Sequence, residues 1–223
     1  MATGYFITGT DTGVGKTVVA CALLHAFAAR GRRVIGMKPV AAGALRTEHG
    51  LLNDDVAALC AASNVTAPPE LVNPYCFEAA IAPHLAATQA GTGIELGRIA
   101  RAYAGLAAVA EVVVVEGAGG FCVPLSSIEN GAHLARLLGL PVIMVVGMRL
   151  GCLNHALLTA QAIRAHGLVL AGWVANRIDP GMTAADENVA ALVERIHAPL
   201  LADIAHTPQP QRIALQVQAL DLL

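Results

Sequence analysis

Near its amino terminus the chain contains a glycine-rich run that ends in a lysine and a threonine, Gly9-Thr-Asp-Thr-Gly-Val-Gly-Lys-Thr17. Such a run is suited to binding phosphates, because glycines let successive backbone N–H groups turn inward and a following helix adds its positive end. Lys16 would bridge the β- and γ-phosphates, and Thr17 would offer its hydroxyl to Mg²⁺. The spacing departs from G-x-x-x-x-G-K-[ST], because Thr10 stands where the first glycine is usual. We therefore predict a phosphate-binding loop of a distinct subfamily.

A magnesium ion at this loop would need carboxylate ligands as well, because the ion prefers six hard oxygen atoms. Glu116 directly follows four valines, Val112 to Val115, and so emerges at the carboxyl end of a buried strand, the edge where open α/β sheets bind ligands. It could instead be a solvated residue at a strand end. Asp55, in the run Asn53-Asp54-Asp55, is a second candidate ligand. Asp54 could equally be the ligand, or the pair could simply cap a helix.

Two further features lie at the same expected edge. Lys38 directly follows the predicted strand Arg33 to Met37 and precedes a proline. Its ammonium group would lie near the phosphates, or Lys38 could be a solvated surface lysine. The tract Glu116-Gly-Ala-Gly-Gly120 could bring bare backbone close to a ligand, or form only a tight turn. The residue pattern leaves both pairs of alternatives open.

The elements that must position these residues alternate along the chain. Short β-branched runs predict buried parallel strands, and longer runs with glycine at their ends predict helices. Thr183 and Asp186 are spaced as a capping box, which predicts a further helix to about Ile196. The succession predicts a doubly wound, mostly parallel sheet with helices on both faces, like that of P-loop NTPases. The predicted strands are Tyr5–Thr8, Arg33–Met37, Val112–Val115, Val142–Val146 and Val169–Ala175, and the predicted helices are Lys16–Arg30, Ile94–Val109 and Gly151–His166.

Composition narrows the class of protein. The 223 residues suit one domain, which we predict to span residues 1–223. Only 13% of the residues are charged and 56% are hydrophobic, so the chain can build a large core and is not a disordered segment. A net charge of −2 without basic runs indicates no nucleic-acid partner, and no apolar stretch approaches the length of a membrane span. Five cysteines without a C-x-x-C pair favour neither a zinc site nor a disulfide framework, and with no export signal we expect a cytoplasmic protein.

Six ordered motifs give a more specific indication. Along nearly its whole length the chain resembles the dethiobiotin synthetase family, ATP-dependent carboxylases of biotin synthesis. The motifs that match are the glycine-rich loop, Met37-Lys-Pro-Val-Ala-Ala-Gly43, Val72-Asn-Pro-Tyr75, Val115-Glu-Gly-Ala-Gly-Gly120, Leu150-Gly-Cys-Leu-Asn-His155 and Ala171-Gly-Trp-Val-Ala-Asn176.

The resemblance implies a reaction and the groups that carry it. 7,8-Diaminononanoate and CO₂ (or bicarbonate as its source) would form a carbamate, ATP would phosphorylate it, and the second amine would close a cyclic urea and release phosphate. Phosphoryl transfer depends mainly on positioning and charge neutralisation, so two lysines and Mg²⁺ suffice and no protein nucleophile is required. The implied catalytic residues are Lys16, Lys38 and Thr12, and the implied metal ligands are Thr17, Asp55 and Glu116, which favours Asp55 over Asp54.

The resemblance also implies binding residues. A homodimer would bind the carboxylate of the substrate at the subunit interface with Leu150, Gly151 and Asn154, where a predicted helix begins. Thr12, Lys38, Ala42 and Gly119 would contact the rest of the substrate, and Ala42 stands where many members have a serine. ATP would contact Gly13, Val14, Gly15, Lys16, Thr17, Val18, Asp55, Glu116, Gly117, Ala118, Gly119, Asn176, Arg177, Ala205, His206 and Thr207.

Two alternatives remain for the nucleotide chemistry. Asn176-Arg177-Ile178-Asp179 comes close to the N-K-x-D motif with which many GTPases recognise guanine, so the base preference is open. A nucleotide switch, such as a partitioning ATPase or a metallochaperone GTPase, would share the loop and the sheet. Partitioning ATPases carry a lysine early in the loop where this chain has Asp11, and metallochaperones usually add Cys or His clusters. A related amidating synthetase would need a glutamine-hydrolysing domain, for which 223 residues leave no room.

Overall fold

A computed structural model describes residues 2–48 and 50–206 of the chain. The strands are β1 (Thr3–Gly9), β2 (Val34–Met37), β3 (Val40–Ala42), β4 (Leu45–Thr47), β5 (Gly50–Leu52), β6 (Tyr75–Phe77), β7 (Val112–Gly120), β8 (Val142–Gly147), β9 (Leu170–Asn176) and β10 (Leu200–Ile204). The helices are α1 (Lys16–Ala28), α2 (Asp54–Ala62), α3 (Pro69–Val72), α4 (Pro83–Gln89), α5 (Leu96–Val109), α6 (Gly131–Leu138), α7 (Cys152–Ala165) and α8 (Ala185–Arg195).

Within the described residues the main sheet has six strands in the order β10-β9-β8-β1-β7-β2. Every neighbouring pair in it is parallel. Alternate residues of β1, β7 and β8 face opposite cores, as in β7, where Val113 and Val115 join one buried cluster while Val112 and Val114 join the other. One cluster includes residues of α1 and α2, and the other includes residues of α5, α6 and α7. The predicted doubly wound parallel sheet is confirmed.

The five predicted strands match β1, β2, β7, β8 and β9, and the three predicted helices match α1, α5 and α7, each with bounds shifted by a few residues. Long apolar runs with terminal glycines are strong local signals, as at Gly151, whose φ of 95° places the N-cap of α7 in the left-handed region. The short pieces β3 to β6, the helices α3, α4 and α6, and the edge strand β10 lack such runs. They were not among the predicted elements.

The capping box predicted at Thr183 and Asp186 is wrong. The N-cap of α8 is Ala184, which has a φ of 55° and no side chain that could accept a hydrogen bond. Thr183 therefore lies one residue too early to cap the helix. The helix begins at Ala185 and keeps Asp186 in its first turn, where a carboxylate suits the positive end of a helix.

The carboxyl ends of β1, β2 and β7 meet at one edge of the sheet, because β7 lies between the other two strands. The glycine-rich loop connects β1 to α1 at that edge, and the N-cap Gly15 has a φ of 92°, which favours glycine. Chain segments after β2 and β7 must therefore approach the loop. In the part of the chain that the structure describes, no helix combines the length and the apolar character needed to cross a bilayer.

Candidate active site

A cleft of about 780 Å³ opens at this edge of the sheet. Its lining unites segments that are far apart in the sequence: the glycine-rich loop and start of α1, the ends of β2 and β7, the first turn of α2, and the segment before α4. Of the residues predicted for ATP, metal and substrate, the lining includes Thr12, Gly13, Gly15, Lys16, Thr17, Val18, Lys38, Ala42, Asp55, Glu116, Ala118 and Gly119.

Lys38 is buried between two carboxylates. Its side chain is only 5% exposed, and its Nζ lies 2.5 Å from Glu116 Oε1 and 2.8 Å from Asp55 Oδ2. Thr17 Oγ1 lies 2.7 Å from Asp55 Oδ1 and 2.9 Å from Glu116 Oε1, so its one hydroxyl proton can be donated to either carboxylate. The alternatives of a solvated lysine and a solvated strand-end glutamate are therefore wrong, since both side chains are buried.

The geometry distinguishes Asp55 from Asp54. The N-cap of α2 is Asn53, whose Oδ1 accepts the N–H groups of Asp55 and Val56, so neither aspartate is the cap. From the first turn of the helix the Asp55 carboxylate reaches the cleft, whereas Asp54 is exposed and does not line it. Of these two carboxylates, only that of Asp55 is placed to share a ligand with Glu116.

The charges in the cleft change one another's protonation. Burial raises the pKa of Glu116, and the nearby ammonium group only partly offsets this. Burial alone would lower the pKa of Lys38, but its two carboxylate partners outweigh burial and hold that pKa above its usual value. For Asp55 the ammonium group likewise outweighs burial, and its pKa lies below the usual range. Lys38 is therefore held in its charged form.

Lys16 has a different environment. Its Nζ donates to the backbone carbonyl of Asp11 at 3.0 Å. Burial, and then repulsion by Lys38, lower the pKa of Lys16 to about 8. A bound anion would supply the negative charge that this ammonium group lacks, so its surroundings suit a phosphate-binding lysine.

Two features of the sequence could have indicated this site more directly. Lys16 and Lys38 are the only two lysines in the 223 residues, and both line the cleft. Asn73, in the motif Val72-Asn-Pro-Tyr75, donates from Nδ2 to the backbone carbonyls of Lys38 at 2.6 Å and Tyr75 at 2.9 Å. The motif therefore fixes the backbone that presents Lys38, a positioning role that the spacing of its residues does not show.

The glycine tract after Glu116 continues β7 instead of forming a separate turn, and Gly120 is in register with Gly9 of β1. Gly119 has a φ of 60°, and a Cβ built on it would lie 3.6 Å from Thr12 Oγ1. Ala118 and Gly119 line the cleft, while Gly117 packs near Phe6. The tract thus brings bare backbone to the predicted phosphate loop.

Four other residues predicted to contact ATP, Asn176, Arg177, Ala205 and His206, are not in the lining of the cleft. Asn176 donates from Nδ2 to the carbonyl of Val14 at 2.8 Å and so fastens the phosphate loop to the end of β9. Arg177 forms ion pairs with Asp186 and Asp203. Ala205 and His206 are exposed beyond β10. Thr207, also predicted to bind ATP, lies outside the described residues.

The segment predicted to bind the substrate carboxylate does not reach the cleft of its own chain. Leu150 is 96% exposed, and Gly151 and Asn154 are also exposed at the start of α7. Within one chain these residues and the cleft remain separate.

Comparisons with known proteins agree with this geometry. Residues 3–213 match the family described as an AAA domain. The chain is 54% identical over 216 residues to the ATP-dependent dethiobiotin synthetase BioD of Aromatoleum aromaticum, covering 96% of each chain. It is 58% identical over 201 residues to the protein of the same name from Nitrosospira multiformis, covering 90% of this chain and 87% of the relative.

Solved structures with less than 25% identity show the fold alone. The septum site-determining protein MinD of Pyrococcus horikoshii, complexed with Mg-ADP, has a TM-score of 0.54 and 18% identity, with 98% of this chain and 89% of that chain covered. The signal recognition particle receptor FtsY of Elizabethkingia anophelis has a TM-score of 0.51 and 17% identity, and the match covers 99% of this chain but only 63% of FtsY. Identity above 50% along nearly the whole chain is the stronger finding, and by it the chain belongs to the ATP-dependent dethiobiotin synthetase family.

Proposed function

We propose that this protein converts 7,8-diaminononanoate, CO₂ and ATP into dethiobiotin, ADP and phosphate, a step of biotin biosynthesis. The observation that carries the proposal is the meeting of Lys16, Lys38 and a hydroxyl–carboxylate set in one cleft. The names of the similar proteins support the same activity. We also propose that the whole chain, residues 1–223, acts as one domain.

The donor set suits a magnesium ion. Thr17, Asp55 and Glu116 offer a hydroxyl and two carboxylates, the hard oxygen ligands that Mg²⁺ prefers. Among the described residues Glu116 Oε2 is buried without a hydrogen-bond partner, which leaves one ligand oxygen unused. When bound, the ion would neutralise phosphate oxygens. We assign these three side chains to it on the chemistry of their donor atoms.

The proposed reaction needs no covalent attachment to the protein. One substrate amine attacks CO₂ and loses a proton, which gives a carbamate. A carbamate oxygen attacks the γ-phosphorus of ATP and ADP leaves, which gives a carbamic-phosphoric anhydride. The second amine then attacks the carbonyl carbon, phosphate leaves with the bonding electrons, and loss of a proton completes the cyclic urea.

The side chains of the cleft match the charges of these steps. Lys16, at the start of α1, is placed to neutralise the transferred phosphoryl group together with the loop amides. Lys38, held in its charged form, would neutralise the carbamate once it exchanges its carboxylate partners for the substrate. Thr12 and Gly119 line the cleft together and would contact the reacting end of the substrate. Ala42 also lines it, but offers no hydroxyl.

We further propose a homodimer in which the segment Leu150–Asn154 of each subunit binds the carboxylate of substrate held in the cleft of the other. The exposure of Leu150 and its absence from the cleft lining of its own chain support this arrangement. The first turn of α7 would offer backbone N–H groups to the carboxylate. Crosslinking or sedimentation would test the dimer directly.

The activity is tested with purified protein, the diamine, ¹⁴C-bicarbonate and either ATP or GTP. We expect label in a cyclic urea that depends on the diamine and on the nucleotide, and the ratio of the two nucleotide rates gives the base preference. Nucleotide hydrolysis that is unaffected by the diamine, with no labelled urea, would refute the proposal and support a nucleotide switch.

The neighbouring aspartates give a matched pair of variants for the metal assignment. Asp55→Asn removes a charged ligand, so we expect at least a hundredfold lower rate at limiting Mg²⁺, in line with the effect of removing one charge-stabilising group. Asp54→Asn removes an exposed charge of the same helical turn, and we expect less than a twofold change. Equal losses in both variants would contradict the assignment.

A further inference from the structure

The glycine-rich loop, whose backbone N–H groups suit an anion, contains an acidic side chain, Asp11. Its Oδ1 accepts the N–H of Thr12 at 2.7 Å, and its backbone carbonyl accepts the ammonium group of Lys16. Its Oδ2 pairs with the guanidinium group of Arg149, 138 positions away in the sequence. An unpaired carboxylate here would repel a polyphosphate, so the charge of Arg149 makes the acidic residue compatible with nucleotide binding.

Arg149 is itself held in place by its backbone surroundings. It lies between β8 and α7, and its carbonyl accepts the N–H of Cys152 at 3.0 Å in the first turn of α7. The N–H of the preceding residue, Met148, donates to the carbonyl of Asn176 at 2.7 Å. The following residue is the highly exposed Leu150. The Arg149–Asp11 ion pair therefore connects the phosphate loop to the beginning of the segment Leu150–Asn154.

Stability does not explain this ion pair well. The side chains of Arg149 and Asp11 are 43% and 45% exposed, and ion pairs with so much contact with water contribute little to folding. The oriented hydrogen bond from Thr12 N–H and the contact of Lys16 depend on where Asp11 is held. The orientation of the loop is thus the property that the pair can control.

We propose that Arg149 is a positioning residue that neutralises Asp11 and couples the phosphate loop to the segment Leu150–Asn154. The loop half of this proposal concerns nucleotide binding alone. The coupling half rests on the proposed function, because it assigns the segment to the carboxylate of the diamine. A change at Asp11 should therefore alter the apparent affinity for the diamine, and a change at Arg149 should alter the affinity for the nucleotide.

The test is a double-mutant cycle of Arg149→Met, Asp11→Asn and the combined variant. In Arg149→Met the carboxylate remains without its partner, and we expect the Kd of a fluorescent ADP analogue to rise about 3- to 10-fold. In the combined variant the unpaired charge is gone, so the Kd should return to within about twofold of the Asp11→Asn value. Arg149→Lys, which keeps the charge, should restore most of the affinity.

The coupling half is measured by the KM values for ATP and the diamine in the same variants. We expect Asp11→Asn to raise the KM of the diamine about 2- to 5-fold, and the combined variant to be no worse than the poorer single variant. Arg46→Met is the control, because its partner Glu78 forms an exposed ion pair outside the cleft lining. It should leave both KM values unchanged.

Two results would overturn the proposal. If Arg149→Met binds the ADP analogue as tightly as the unmodified protein, the loop half is wrong. If the diamine KM responds to neither Asp11→Asn nor Arg149→Met, or if the effects of the two changes add, the coupling half is wrong. Failure of the proposed function is distinguishable, because the unmodified protein would then form no labelled urea while the nucleotide cycle could still be measured.

Discussion

Replacing Lys38 by methionine should tighten Mg²⁺ binding even though it removes a proposed catalytic group. The ammonium group lies 2.8 Å from Asp55 Oδ2 and 2.5 Å from Glu116 Oε1, and so fills the space between the two proposed metal ligands. A divalent ion must either displace the ammonium group or bind beside it against the repulsion of like charges. Both costs disappear in Lys38→Met.

The size of the effect follows from the charges. A single positive charge and a double one about 5 Å apart repel by ~1.7 kcal/mol in a water-like environment, and by several times more in a drier one. Lys38 and Glu116 are buried, so we take the lower value as a minimum and expect Mg²⁺ to bind at least about 10- to 20-fold more tightly in the variant. Loss of the ammonium group would raise the pKa of Glu116 further, so binding is best measured above neutral pH, where protons compete less for that carboxylate.

The assay is calorimetric titration of Mg²⁺ into protein saturated with ADP, which cannot turn over. Lys38→Arg keeps the positive charge in a bulkier group, and for it we expect no tightening. Because the chain has only two lysines, ¹⁵N-lysine labelling gives an independent measurement: the ammonium signal of Lys38 should shift when Mg²⁺ binds, and that of Lys16 should shift when ADP binds. Equal or weaker Mg²⁺ binding by Lys38→Met, with an unmoved Lys38 signal in the unmodified protein, would refute the reasoning.

Three further predictions use other parts of the structure. Because the pKa of Lys16 is lowered to about 8 and bound phosphate would raise it, ADP affinity should fall as the pH rises above 8, by up to about tenfold per pH unit; a flat calorimetric profile from pH 7 to 10 would contradict this. Burial, reinforced by the nearby carboxylates, raises the pKa of the Cys21 thiol to about 11. At pH 8 iodoacetamide should therefore modify Cys21 roughly a hundredfold more slowly than the exposed Cys122, as followed by mass spectrometry. Equal rates of modification would contradict this. Gly172→Ala would place a Cβ 2.7 Å from a leucine side chain of β10, and it should lower the free energy of unfolding, measured in urea, by about 1–3 kcal/mol. Gly97→Ala in α5 is the control, because its new Cβ would have no contact closer than 3.6 Å, and it should be neutral or stabilising.

Residues with strong local signals allowed much of the fold to be predicted. Val112 to Val115 are buried on both faces of the sheet, so a continuous apolar run indicates such a strand without further information. Glycines at Gly31 and Gly167 have φ values of 77° and 72°, and their places just after α1 and α7 follow from that conformational need. The order of strands and helices then limits the topology to few possibilities.

The rest depended on contacts between distant residues. Asp54 and Asp55 are neighbours of the same type, and only the direction of α2 relative to β7 decides which carboxylate meets Glu116. Asn73 acts on Lys38 through backbone carbonyls, which leave no mark on residue type at the receiving position. At Thr183 the local pattern was plausible, but the preceding turn places Ala184 at the cap. The short elements without apolar runs were not predicted for the same reason, because their formation depends on contacts between distant residues.

The use of lysine in this chain has a physical explanation in the cleft. Fourteen residues are lysine or arginine, yet lysine occurs only at positions 16 and 38. The space that Lys38 fills is bounded by carboxylate oxygens at 2.5 and 2.8 Å and suits a compact ammonium group, whereas a planar guanidinium group with its fixed fork of donors would push the carboxylates apart. Arginine forms the exposed ion pairs with Glu78 and Glu111, where bidentate geometry is possible and space is not limited. The division between the two residue types therefore follows the division between the enclosed cleft and the open surface.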